Sequence, residues 1–153
     1  MEKVRGFEIA KGFEDKNIKL PERKTKYSAG YDVEAAEDVT IPVFKPGVKP
    51  TLVKTGLKAY CQEDEYYMLV NRSSNPGKKG LVLANSIGIV DSDYYGNESN
   101  DGHFMFAYYN FFDHEVQIKK GDVIGQVIFA KYDKVDDDKA EGIRTGGFGS
   151  TNK

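Results

Sequence analysis

Apolar and polar positions in this chain come in short bursts. β-Branched and aromatic residues cluster in runs of a few residues, cut by Gly, Pro, Asn and Asp. The runs Glu2–Ile9, Tyr31–Ala35, Val39–Ile41, Thr51–Tyr60, Glu65–Val70, Leu81–Ala84, Ile87–Val90, Phe104–Phe112, Glu115–Ile118 and Val123–Tyr132 read as strands. Many short strands at this spacing predict an all-β protein, a barrel or a sandwich, jelly rolls included. No long stretch shows helical periodicity between caps; one short helix fits after Ser73 or before Gly142. Leu81–Ala84 and Ile87–Val90 flank Asn85-Ser86, the spacing of a β-hairpin with a two-residue turn.

The pattern breaks after Tyr132. Asp133–Glu141 (DKVDDDKAE) is charged with no apolar face, and Gly142–Lys153 (GIRTGGFGSTNK) is rich in glycine. The chain therefore divides into a folded domain, 1–132, and a C-terminal arm, 133–153. Such composition suits a frayed terminus or an arm that orders on a ligand. At 153 residues the whole chain fits one domain with a core of its own.

Charge and composition narrow the chemistry. A formal net charge of −2 gives no electrostatic footprint for nucleic acid or for an anionic membrane surface. No apolar run approaches the ~18 residues that span a bilayer, and the charged start lacks the apolar core of a signal peptide. Cys61 is the sole cysteine, so a disulfide framework is absent and a reducing, cytoplasmic setting is the expectation. With His103 and His114 as the only histidines, a structural zinc site and a His- or Cys-based nucleophilic triad are both disfavoured. Neither a GxxxxGK[ST] phosphate loop nor a GxGxxG turn occurs. An enzyme built from this inventory uses water as nucleophile, activated by a carboxylate or a metal.

The informative stretch is Asn71–Gly96. Arg72-Ser73-Ser74 offers a guanidinium and hydroxyls suited to phosphate oxygens. Asp91-Ser92-Asp93-Tyr94 puts carboxylates and an aromatic ring at a strand end. Each is also ordinary turn chemistry when taken alone.

In order along the chain, these pieces resemble the trimeric dUTP diphosphatases (dUTPases). The segments that carry the resemblance are Ala29–Ala35 (AGYDVEA), Arg72-Ser73-Ser74, Asn85–Gly96 (NSIGIVDSDYYG), Gly121–Val127 (GDVIGQV) and Arg144–Thr151 (RTGGFGST). The resemblance implies a distorted jelly-roll-like β-barrel with a mobile C-terminal arm. It implies a homotrimer with shared active sites, and hydrolysis of dUTP to dUMP and pyrophosphate with Mg2+. Asp91 matches the general base, and a carboxylate can both take a proton and aim the water. Tyr94 matches the ring that packs on deoxyribose where a ribose 2′-OH would need room. Asn85, Gly88, Val90 and the surrounding backbone match the uracil-reading element, whose amides suit uracil and mismatch cytosine. Arg72, Ser73, Ser74 and Gln126 match phosphate contacts. Asp32 matches the acid that holds magnesium-bound waters. In the arm, Arg144 matches a γ-phosphate clamp, Phe148 an aromatic lid over uracil, and Gly149 and Ser150 further phosphate donors.

The chain departs from the family pattern in several places. The spacing from Arg144 to Gly147 is one residue tighter than usual, and Asn152 replaces a glycine. Val123 and Gly125 stand where Arg and Ala are common. Asn97–Gly102 makes a longer, more polar loop beside the sugar position. The rival dCTP deaminase pattern has a Trp near Tyr94 and a catalytic Glu on the next strand; this chain has no Trp, and Phe104–Phe112 has no Glu. A regulatory nucleotide-binding protein on the same fold is the other alternative, against which the intact Asp91 argues.

Overall fold

The computed structural model describes residues 2–147. It is nearly all β, as the alternation predicts. The strands are β1 (Gly6–Ile9), β2 (Tyr31–Glu34), β3 (Val39–Ile41), β4 (Thr51–Lys54), β5 (Leu57–Tyr60), β6 (Glu65–Asn71), β7 (Leu81–Leu83), β8 (Gly88–Asp91), β9 (Met105–Asn110), β10 (Val116–Ile118) and β11 (Val123–Lys131). One short helix, α1 (Asn75–Lys79), follows Ser73; Pro76 opens it and Gly80, at φ +67°, closes it in the left-handed region.

All paired strands run antiparallel. A four-stranded sheet in the order β2-β11-β6-β8 faces a three-stranded sheet in the order β4-β9-β7, and the pairs β1-β5 and β10-β3 close the ends. Alternation decides which side chains go inward. Val33, Tyr67, Leu69 and Val127 of the larger sheet are buried, as are Val53, Leu83, Phe106 and Tyr108 of the smaller one. Each such side chain contributes about 1.5–3 kcal/mol of burial. Gly125 fits this layer for a steric reason: a Cβ there would lie 2.3 Å from the Phe106 ring. An alanine here would require the Phe106 ring to shift.

Two expected elements are rebuilt. The run Thr51–Tyr60 is two strands, because Gly56 sits at φ +71° and the Thr55 and Gly56 amides turn to donate to His103 Nε2 at 3.3 and 2.9 Å. β4 then pairs with β9, and β5 with β1. The expected hairpin between Leu81–Ala84 and Ile87–Val90 does not zip either. β7 pairs with β9 and β8 with β6, so the corner at Asn85-Ser86 hands the chain from one sheet to the other. Ser86, at φ +60°, tightens that corner, and the Ile87 amide donates to the Asn85 carbonyl at 2.7 Å. Each strand does better by burying its apolar side against a longer neighbour: Gly88 lies under Leu69, and Leu81 and Leu83 enter the core. Elsewhere the strands stay close to expectation: β3 matches, β6 runs on to Asn71, and β9 is trimmed to Met105–Asn110, stopping where the Asn110 side chain takes over, donating to the Ile41 and His114 carbonyls and accepting from the Phe112 amide.

Candidate active site

The failed hairpin makes the site. As β7 and β8 diverge, a cavity of about 310 Å³ opens between them, floored by Leu69, Leu83, Phe104 and Phe106 and reached by Asn85, Gly88, Val90, Asp91 and Tyr94. Among the described residues β8 is an edge strand of its sheet, so alternate backbone N–H and C=O groups of Gly88–Asp91 have no strand partner there on the cavity side. An apolar slot with an unpaired strand edge is what a flat heterocycle with alternating donors and acceptors requires.

Asp91 ends β8 and begins a 3-10 turn over Ser92–Tyr94. That turn swings Tyr94 inward, where it is 5% exposed and lines the cavity. Its hydroxyl donates to the His103 carbonyl at 2.9 Å and accepts from Asn100 Nδ2 at 2.6 Å. Burial pushes the phenol's ionisation up, so it remains a neutral hydrogen-bonding group. The carboxylates stay at the surface, with 57% of the Asp91 side chain exposed.

The arm returns to this same corner. Exposed residues follow β11, and then Arg144 docks on the turn. Its Nη2 donates to Asp91 Oδ2 at 2.5 Å, its Nε to Asp93 Oδ1 at 2.6 Å and its Nη1 to the Gly146 carbonyl at 2.9 Å. Gly147 follows directly against the tyrosine: a Cβ there would lie 2.3 Å from the Tyr94 ring. Phe148, Gly149 and Ser150 lie outside the described residues.

The expected phosphate group gathers elsewhere. Asp32 and Gln126 face each other across β2 and β11, and Gln126 Nε2 donates to Asp32 Oδ1 at 3.2 Å. Gly30 leaves room for the glutamine, since a Cβ there would lie 2.6 Å from its Oε1. Arg72, just past β6, donates from Nη1 to the Val123 carbonyl at 3.2 Å. Ser73 is exposed and Ser74 half-buried in the turn before α1. A buried network holds that turn: Asn75 Nδ2 donates to Asn71 Oδ1 (2.8 Å) and the Ile124 carbonyl (3.0 Å), and the Tyr108 hydroxyl bridges the same groups. Asn71, Asn75 and Tyr108 are supporting residues that reading the sequence does not single out. Asn100 and His103 belong with them; the unusual Asn97–Gly102 loop was the only signal.

Register separates the two groups. On β6, Val70 lies opposite Gln126 and Tyr66 opposite Asp91. That is about 13 Å along the strands, and Asp32 lies roughly 14 Å from β8 across the sheet. One chain does not bring Asp32, Gln126 and Arg72 to Asp91. Among the described residues, no group of three or more His, Cys, Asp or Glu gathers to hold a metal, and no helix is long and apolar enough to cross a membrane.

Comparison with known proteins bears on this geometry. A family model described as dUTPase matches residues 16–152. A deoxyuridine 5'-triphosphate nucleotidohydrolase of Lactococcus lactis is 48% identical over 151 residues, covering 97% of this chain and 98% of that protein. One of the same name from Burkholderia mallei is 37% identical, covering 88% of this chain and 89% of the relative. The crystal structure of dUTPase from Streptococcus mutans superposes with a TM-score of 0.79 at 43% identity, covering 86% of this chain and 98% of that one. A dUTPase from phage phi11 of S. aureus, described with a structural Mg(II) ion, has the same fold at 19% identity, with a TM-score of 0.69 over 92% of this chain and 98% of that one.

Proposed function

The chain belongs to the dUTPase family and hydrolyses dUTP, and we propose that it does so by water attack on the α-phosphate at sites assembled between the subunits of a homotrimer. The products are dUMP and pyrophosphate, which limits uracil in DNA and supplies dUMP. The observation that carries the shared site is the separation of its halves. The cavity with Asp91 and Tyr94 takes base and sugar; Asp32, Arg72, Ser73, Ser74 and Gln126 are displayed along the sheet, away from it. A second subunit supplies the missing half to each.

The outer face of the four-stranded sheet supports such an assembly. Tyr66, Met68, Val70, Ile89 and Ile128 share that face by register, and Ile89 is 60% exposed. A strip of large apolar side chains outside the core favours burial against further copies.

In the cavity, uracil pairs with the free edge of β8 and with Asn85, while Leu69 and Phe106 exclude water. Tyr94 packs on the deoxyribose. Asp91 accepts the proton of the attacking water and holds it in line with the P–O bond that breaks. The Arg144–Asp91 pair must open for this. A triphosphate offers the guanidinium denser negative charge than two carboxylates do, so substrate draws Arg144 to phosphate and frees the base.

Asp32 suits a magnesium ion brought by the triphosphate. Gln126 occupies Oδ1 and leaves Oδ2 open, and a lone carboxylate suffices for an ion that keeps its waters. Mg2+, when bound, neutralises phosphate charge. Nothing in the charge pattern calls for nucleic acid or a membrane as partner, and we place the enzyme in the cytoplasm.

The test is a substrate panel. Incubated with Mg2+ and dUTP, dCTP, dTTP or UTP, the protein should release pyrophosphate from dUTP alone. Ammonia from dCTP would replace this reading with a deaminase.

A further inference from the structure

The longer polar loop, Asn97–Gly102, is built as a bracket for Tyr94. Asn97 Oδ1 accepts from the Ser99 amide and hydroxyl and from the Asn100 amide, at 3.0, 2.8 and 3.1 Å. Asn97 Nδ2 ties the loop back to the Tyr94 carbonyl at 2.7 Å and to Asn100 Oδ1 at 2.8 Å. Asn100 Oδ1 also takes the Gly102 amide at 3.1 Å. The far side is anchored through Asp101, whose Oδ2 accepts from Lys58 Nζ at 2.8 Å and the Lys11 amide at 3.0 Å. Asn100 Oδ1 is thus used within the loop, while Nδ2 donates to the Tyr94 hydroxyl at 2.6 Å and, more weakly, to the His103 carbonyl at 3.4 Å. The hydroxyl in turn donates to the carbonyl of His103, at the end of the same loop.

We propose that Asn100 is a positioning residue for sugar selection: by fixing the Tyr94 hydroxyl it holds the ring in the space a ribose 2′-OH would need. The inference rests on the reading of Tyr94 as the ring beside the sugar. The reason is mechanical. Tyr94 pivots about two side-chain bonds, and a ring excludes a 2′-OH only while it is kept from swinging away. The hydroxyl is the end of that lever, so a hydrogen bond there restrains the ring more than one near the backbone. The phenol has one proton and accepts through its oxygen, and His103 and Asn100 satisfy both roles. The loop therefore does for the tyrosine what a supporting shell does for any group that must hold position.

The experiment compares kcat/KM for dUTP and UTP, with thermal melting in parallel, in Asn100→Ala, Tyr94→Phe, the double variant and Tyr94→Ala. Tyr94→Phe keeps the ring and removes only its tether, so it carries the test should the alanine variant fold poorly. The dUTP preference should fall about 3- to 10-fold in each single variant, the effect of one hydrogen bond. The double variant should be no worse than the more affected single one, because both cut the same tether. Tyr94→Ala should relax selection further. If Asn100→Ala lowers the melting temperature yet leaves the dUTP/UTP ratio intact, Asn100 serves only the loop. Effects that multiply in the double variant also overturn the proposal. A ratio unchanged in Tyr94→Ala removes instead the sugar role of the ring itself. Tyr94→Ala relaxed beside an unchanged Tyr94→Phe defeats only the tether.

Discussion

The two halves of the proposed site are made in opposite ways. The base-and-sugar half is a cavity closed within one chain, its floor in the core and its tyrosine tied at both ends of a loop. The phosphate half is a set of side chains on half-buried strand and turn positions, Ser73 alone being exposed, held from behind by Asn71, Asn75 and Tyr108. A flat base with few polar atoms is read by shape and by exact pairing, and both need rigid walls. A triphosphate is long, charged and flexible, and is gripped by donors from several directions. Such donors need not share a chain with the cavity. They need only converge when subunits meet.

The largest contrast should appear at Asp91. Asp91→Asn keeps the size and surroundings of the side chain but removes its capacity to take a proton. Turnover should fall by about 10²–10⁴, the worth of a positioned general base, while dUTP still binds. Single-turnover rates with enzyme in excess measure this directly. Wild-type rates would leave Asp91 as an anchor for Arg144 and nothing more.

How the halves were read from sequence follows the same division. Asp91, Tyr94, Arg72 and Gln126 stand in short segments whose order resembles a family, so the sequence singles them out as candidates. The all-β fold was legible too, because alternation and turn residues report it locally. The corner at Asn85-Ser86 was not. Two apolar runs two residues apart look like a hairpin, and only the long strands β6 and β9, remote in sequence, offer each run a better partner. The break at Gly56 was hidden for the same reason, since His103 supplies the acceptor that makes it. Asn100 and Asn75 act through contacts set by tertiary placement, and their residue type alone says only loop and helix start. The arm's docking on Asp91 and Asp93 also lay beyond sequence; Arg144 was read as a phosphate ligand, and within one chain carboxylates occupy it.

The proposed division between the subunits of a homotrimer can be tested by mixing. Asp91→Ala destroys the cavity half and Arg72→Ala weakens the phosphate half, so each homotrimer should be poorly active for a different reason. Co-refolded, the chains can pair an intact Asp91 from one subunit with an intact Arg72 from its neighbour. With random assembly from equal amounts, about a quarter of sites meet both conditions, which sets the ceiling on recovered activity. Samples shown to contain mixed trimers, yet no more active than the separate variants, would mean that both halves come from one chain.

A smaller effect should mark the cavity half as the acid-sensitive one. His103 is 7% exposed, and Nε2 accepts from the Thr55 and Gly56 amides, which requires an unprotonated nitrogen. Burial, with Lys54 nearby, lowers its pKa to about 4. An unfolded histidine titrates near ~6.5. The folded pKa is the lower one, so below ~6.5 the unfolded chain binds a proton that the folded chain refuses. The stabilisation is therefore complete above that pH and is lost progressively as pH falls towards about 4. The cost falls on the corner at Gly56 and on the loop that carries Asn100, so dUTP preference over UTP should weaken along with stability. His103→Gln presents an amide oxygen to the same donors and does not titrate. Melting temperatures measured from pH 7.5 down to 4.5 should drop more steeply for the wild-type protein than for His103→Gln. Parallel curves would show that the two backbone donors accept protonation of His103 without loss, and that acid acts on this fold elsewhere.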